Sequence, residues 1–257
     1  MEIQPEGIPA SQIFFDQSAV QHWLSTQPIL VSTVMASRAG LRALPLIVEL
    51  WGRPGFSALQ FFRAAHAAWT FTREPGVRTK DAARAARAKL TENSHAGAAV
   101  MLATAACVPR GSNNIAEFAA RAFASAAYAD SSLANASLDE LAAVENGGDG
   151  PARISIAIKL TSWPLWPGAT PHRISSAWED LKQRLWSASD ADWEFWIEWY
   201  EDLLAGRPSG LDKAFDVALA TLPNELWEQG PKVVNARIKE LINAYTAVPL
   251  PPAESLP

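Results

Sequence analysis

Tryptophan is concentrated in one part of this 257-residue chain, where eight of its eleven tryptophans fall within residues 163–227. The densest stretch, residues 192–206, has apolar side chains at steps of three and four, which is the spacing of one helix face. That stripe consists of Trp193, Trp196, Ile197, Tyr200, Leu203 and Leu204. Because tryptophan is the largest side chain, such a run forms either a packed helix seam or an aromatic binding surface. We interpret the stripe as core.

Two aromatic residues lie beside this stripe. Phe195 and Trp199 are four residues apart, so they share a flank of the same helix, and we expect Trp199 to be exposed. Trp163 and Trp166 belong to a rigid, proline-containing turn. These four residues form the candidate interaction surface, which would accept a peptide helix or a flat ligand if it is not core.

The rest of the same helix is acidic. Glu194 and Glu198 are followed by Asp202 or Glu201 at steps of four or three, which places their carboxylates on one face. Carboxylates at that spacing can bind a metal or act as an acid and base, but no histidine joins them nearby. We interpret this face as solvated, and the sequence predicts no metal site.

Apolar residues at helical spacing recur along almost the whole chain, so we predict an all-α fold, an irregular multi-helix bundle of about ten helices. Pro45 is expected to end or kink an apolar helix. Ser137 and Glu140 have the spacing of a capping box and predict a helix start. Residues 154–158 alternate like a strand, but a lone strand cannot satisfy its backbone, and a helix is favoured.

The glycine-rich segment at residues 146–151 is the strongest loop signal in the chain. It separates an alanine-rich helical part, residues 1–146, from a tryptophan-rich part, residues 151–257, which ends in an extended proline-rich tail. The two parts are predicted either as subdomains or as one continuous domain.

Charge is unevenly distributed along the chain. Residues 1–110 carry 11 basic and 7 acidic side chains, a balance of +4, whereas residues 111–257 carry 11 and 20, a balance of −9. The basic side chains that form the candidate anion or phosphate contact are Arg78, Lys80, Arg84, Arg87 and Lys89. No aromatic residue is interleaved with them for base stacking, so we do not expect nucleic acid as a partner, and a solvated helix face is the preferred interpretation.

Catalytic signatures are not found in the sequence. It contains no nucleophile elbow, phosphate-binding loop, dinucleotide fingerprint or zinc-protease motif, and its four histidines are scattered. His66 is expected to be a core or boundary residue, and Cys107, the single cysteine, a small buried apolar residue. No catalytic residue, metal site or cofactor is therefore predicted, and enzymatic activity is without support.

The most apolar segment, residues 28–51, is interrupted by Arg38, Arg42, Pro45 and Glu49. A membrane-spanning helix needs about 20 nearly uninterrupted apolar residues, so we predict a core helix here. The N-terminus is acidic where a signal peptide would be basic. The sequence therefore predicts a cytoplasmic protein, and a membrane is not the expected partner.

A longer pattern covers approximately residues 160–245. Its residues are Trp193, Trp196, Trp199, Tyr200, Glu201, Leu204, Gly206, Arg207 and Pro208, followed by Leu222, Pro223, Trp227, Gly230, Pro231, Val234, Asn235 and Ile238. The pattern resembles a tryptophan-rich C-terminal cassette of uncharacterised bacterial helical proteins, and the Pro164–Pro167 turn is part of it. The resemblance implies a helical module in a bacterial protein and carries no activity.

These observations favour a helical protein–protein interaction module or assembly subunit, with another protein or a second copy of the chain as partner. Two alternatives stay open. One is a membrane-active effector that rearranges its alanine-rich helices onto a bilayer, although these helices lack a clear amphipathic pattern. The other is a small-ligand sensor with a tryptophan-lined pocket.

Overall fold

The computed structural model describes residues 17–90, 94–108, 112–188, 191–207 and 213–246. All regular elements in these ranges are helical, which confirms the predicted all-α bundle. The α-helices are α1 (Gln17–Ser25), α2 (Ile29–Ala43), α3 (Ala58–Arg73), α4 (Val77–Arg87), α5 (His95–Ala106), α6 (Ser112–Ala129), α7 (Ser131–Glu145), α8 (Gly150–Leu160), α9 (His172–Ser187), α10 (Glu194–Ala205), α11 (Lys213–Ala220), α12 (Asn224–Trp227) and α13 (Pro231–Thr246). Residues 154–158 lie within α8 and are helical, as predicted.

Helix α2 is the centre of the alanine-rich part and packs most closely against α5 and α6. Small residues allow this close approach. A Cβ atom added at Gly40 would lie 2.8 Å from the Cβ of Ala103, which leaves no room for a side chain. The alanines of this region therefore act as spacers that bring helix backbones together, and Cys107 is fully buried at the end of α5, as expected.

Pro45 ends α2, as predicted, because its ring cannot continue the helix. The chain continues as a 3-10 helix, Leu44–Leu50. Among the described residues, the segment Ile29–Leu50 alone is long and apolar enough to cross a membrane by length and composition. Its most apolar window is completely buried inside the bundle, in agreement with the prediction of a core helix.

The predicted helix start at Ser137 is wrong. Helix α7 begins at Ser131, where the side chain of Asp130 accepts a hydrogen bond from the Ser132 backbone N–H. Ser137 and Glu140 therefore lie inside the helix, and both are buried. Their spacing matches a capping box, but Glu140 pairs with Arg38 of α2, and the Ser137 hydroxyl donates to the Leu133 carbonyl and accepts from Arg42.

A short turn at residues 146–149 joins α7 to α8. Buried apolar residues from both sides of this turn belong to one hydrophobic core within the described ranges. Helix α2 packs against α8, and α3 packs against α11, so helices from the alanine-rich and tryptophan-rich parts contact each other directly.

Candidate functional site

The aromatic stripe of α10 faces the core. Trp196 and Tyr200 are completely buried, and Trp193 is 4% exposed, which confirms the prediction that this stripe is core. The Trp196 ring lies 5.5 Å from the Phe62 ring and 6.3 Å from the Trp227 ring, measured between centroids. Its indole N–H donates a 2.9 Å hydrogen bond to the Asn235 side chain.

The expectation that Trp199 is exposed is wrong. Its side chain is 4% exposed, and its ring lies 5.4 Å from the His66 imidazole and 6.0 Å from Trp196. Helix α3 supplies His66 and covers this flank of α10. Phe195, on the same flank, is half-buried and packs against Phe215 with 5.7 Å between ring centroids.

His66 belongs to a buried polar network between α3 and α11. Its Nε2 lies 3.5 Å from Asp216 Oδ1, and Arg73 donates a 2.6 Å hydrogen bond to Asp216 Oδ2. His66 and Asp216 are both at most 2% exposed, so a substrate cannot reach them. As expected, His66 is a core residue with polar partners.

The turn at residues 163–167, which follows α8 and is called the Trp163 turn below, is held from inside the protein by a clamp of two arginines, Arg38 and Arg42. Arg38 makes most of these bonds. The guanidinium group, 1% exposed, donates hydrogen bonds to three backbone carbonyls at or just before the turn. These are Leu160 at 2.6 Å, Trp163 at 3.2 Å and Pro164 at 2.6 Å. Its Nε donates a fourth bond, of 2.7 Å, to the Glu140 carboxylate.

Arg42, one helical turn further along α2, completes the clamp. Its Nε donates to the Leu165 carbonyl at 2.8 Å, and its other nitrogens reach Ser137 and the same Glu140 oxygen that binds Arg38. Burial lowers the pKa of the Arg42 guanidinium, and the facing Glu140 carboxylate opposes that shift. Two buried cations therefore share one buried carboxylate and hold the turn in a fixed position.

Gly206 fixes the opposite side of the same turn. It ends α10 in the left-handed conformation, with φ of 65°, and a Cβ atom placed there would lie 2.5 Å from Pro164 Cδ. The Leu165 N–H also donates a 3.0 Å hydrogen bond to the Leu203 carbonyl. The end of α10 can therefore pack against the turn only when residue 206 has no side chain.

Replacing Gly206 by alanine should lower the free energy of unfolding by about 2 kcal/mol, because it adds left-handed strain and a steric clash with Pro164. Urea denaturation followed by circular dichroism measures this change. Gly168→Ala is the matched control, since no atom lies within 4 Å of the added Cβ. Equal stability of the two variants would contradict this role of Gly206.

A cavity of about 230 Å³ opens beside the clamped turn. Trp163, Pro164, Trp166 and Pro167 line one side of it, with residues of α2 and α7 on the other. Trp163 is 47% exposed, whereas Trp166 is 4% exposed. The sequence placed both residues on the candidate interaction surface and did not predict this difference in exposure. Two buried polar atoms of the lining residues, Glu140 Oε2 and Trp166 Nε1, have no hydrogen-bond partner.

A larger cleft, of about 400 Å³, lies beside the C-terminus of α8. Trp69 and Trp199 form part of its wall, although the two side chains are only 3% and 4% exposed. Three basic residues, Arg73, Arg207 and Lys213, also line it. Sequence analysis placed Trp199 on a candidate surface but gave no site role to Trp69 or to the three basic residues, because these come from separate segments of the chain.

The basic residues of α4 and the turn after it do not converge on one site. Arg78 donates a hydrogen bond to Thr221, and Lys89 forms a 2.7 Å ion pair with Glu228. Arg84 pairs with Asp81 within the helix, and the Arg87 guanidinium lies 5.3 Å from the centroid of the Phe118 ring. Lys80 is half-buried. Four of the five candidate anion contacts therefore interact with the protein itself.

Glu194 and Glu198, on the acidic face of α10, are exposed. Partial burial, together with four neighbouring carboxylates, raises the pKa of Glu198 above its ordinary value. Within the described ranges, no group of three or more histidine, cysteine, aspartate or glutamate side chains is arranged to hold a metal ion.

Comparison with known proteins found no similar protein. No protein-family model, curated protein or solved structure matches this chain.

Proposed function

We propose that this protein is a helical interaction module that binds a segment of another protein at the Trp163 turn and the cavity beside it. The observation that carries the proposal is the exposed indole of Trp163. It lies on a turn that is held rigid by contacts with α2, α7 and the end of α10. Exposed tryptophans are frequent binding hot spots, and a rigid surface loses little entropy when a partner binds.

The cavity indicates the chemistry of the partner. Trp163, Pro164 and Pro167 offer apolar surface on the side of the cavity that the turn lines. Glu140 Oε2 and Trp166 Nε1, although unpaired, have almost no exposed surface, so a partner does not reach them without opening the fold. A peptide segment with an apolar side chain is therefore the expected occupant.

The packing of α5 and α6 supports an interaction module over a membrane-active effector. Both helices pack along the central helix α2, and most of their alanines are buried. Their insertion into a bilayer would require opening the centre of the fold, whereas binding at the Trp163 turn requires no rearrangement. A liposome-leakage assay tests the membrane alternative, and we expect no release.

The first experiment places the photo-crosslinking residue benzoylphenylalanine at position 163 in the native cell. Trp186, which is 56% exposed on α9, is the matched position for the control. We expect a discrete crosslinked protein from position 163, and none from position 186. If the crosslinked protein is a second copy of the chain, the surface mediates self-association and does not bind another protein. Identical products from both positions would contradict the proposal.

The captured partner is then purified and its affinity is measured. Trp163→Ala should weaken binding at least about tenfold, while its free energy of unfolding changes by about 0.5 kcal/mol or less, because the side chain is half exposed. Trp186→Ala should bind normally. Unchanged affinity of the Trp163→Ala protein for that partner would show that the indole is not part of the interface.

A further inference from the structure

A second site is independent of the proposed interaction surface. The cleft between α3, the end of α8 and α10 has a volume of about 400 Å³, which is in the range of small-molecule sites. Its apolar lining consists of Leu30, Trp69, Pro75, Ile158, Trp199 and Leu203. Ile158 is 55% exposed at the rim, although it is a large aliphatic residue.

Positive charge converges on this cleft from three segments. Arg73 ends α3, Arg207 follows α10 and Lys213 begins α11. Of the acidic residues that pair with them, only Asp202 lines the cleft, so the lining carries three formal positive charges and one negative charge. The carboxylates of Asp216 and Glu74, which pair with Arg73 and Lys213, are not part of the lining.

Two of these cations can bind a ligand without disturbing the fold. The side chains of Arg207 and Lys213 are 61% and 60% exposed, and each has one acidic partner. Exposed ion pairs of this kind contribute little stability, typically about 0–1 kcal/mol, so an anionic ligand can compete for them. Arg73 differs, because its partner Asp216 is buried in the His66 network.

We propose that this cleft binds a small amphipathic anion, with an aromatic or aliphatic body and a single carboxylate, sulfonate or phosphate group. The body lies against the Trp69 and Trp199 wall and the aliphatic rim. The anionic group is bound by Arg207 and Lys213, with Arg73 adding to the positive potential. A neutral analogue loses those charge-assisted hydrogen bonds, so the site discriminates by charge.

The test uses two fluorescent compounds of similar size on the full chain. 8-Anilinonaphthalene-1-sulfonate carries a sulfonate, and N-phenyl-1-naphthylamine is its neutral counterpart. We expect the sulfonate to bind at one site with about tenfold higher affinity than the neutral compound, and to weaken as salt increases. Equal affinities, a salt-independent affinity or no saturable binding would overturn the proposal.

Two double variants locate the site. Arg207→Gln/Lys213→Gln should weaken sulfonate binding about tenfold and leave binding of the neutral compound nearly unchanged. Arg237→Gln/Lys239→Gln removes the same residue types from exposed ion pairs on α13 and should have no effect. Equal affinity in both double variants would show that the sulfonate binds elsewhere. Ile158→Asp, at the exposed rim, adds a repelling charge and gives a second test with the same expected loss.

Discussion

Replacing Glu140 by glutamine is expected to lower the free energy of unfolding by about 3–5 kcal/mol, because two buried guanidinium groups lose their shared counter-charge. Arg38 and Arg42 are at most 1% exposed, so water cannot replace the missing carboxylate. Glutamine keeps the size and the acceptor oxygen of the side chain. The loss therefore reports the charge rather than a cavity.

Urea denaturation followed by far-ultraviolet circular dichroism measures this effect. Glu117→Gln is the matched control, since Glu117 is 45% exposed and pairs loosely with Arg121 at 3.8 Å on the surface of α6. The control should change stability by about 0.5 kcal/mol or less. If Glu140→Gln lowers the free energy of unfolding by less than about 1 kcal/mol, Glu140 is not the counter-charge that the two buried arginines share.

The second large effect is expected for Trp199→Ala, which should cost about 3–5 kcal/mol of unfolding free energy. The Trp199 ring is enclosed by His66 and Trp196, and its removal leaves a cavity that two rigid helices cannot close. The measurement is again chemical denaturation. Trp186→Ala, which removes the same side chain from an exposed position, should stay close to the wild type. Similar losses in both variants would place Trp199 outside the core.

The helical spacing of α10 was sufficient to predict its core stripe. Trp193, Trp196 and Tyr200 recur on one face, and that face is buried. The flank was not predictable in the same way, because the environment of Trp199 depends on which helix lies beside α10. Helix α3, more than a hundred residues earlier in the chain, decides this contact.

The clamp illustrates a different limit of sequence analysis. Ser137 and Glu140 match a local capping pattern, and Arg38 and Arg42 interrupt an apolar segment. Each pair has a simple local interpretation, yet the four side chains meet across about 100 residues of chain. Two arginines in the apolar face of a core helix were the available signal, since buried charges require partners.

The tryptophan-rich region is mostly core, and Trp163 is an exposed tryptophan at the proposed contact surface. Oxidative footprinting of the native protein, read for each tryptophan by mass spectrometry, tests this most directly. We expect rapid oxidation of Trp163 and Trp186, which are 47% and 56% exposed, and protection of Trp196, Trp199 and Trp227, which are at most 4% exposed. Oxidation of Trp199 as fast as Trp186, or protection of Trp163, would contradict the account.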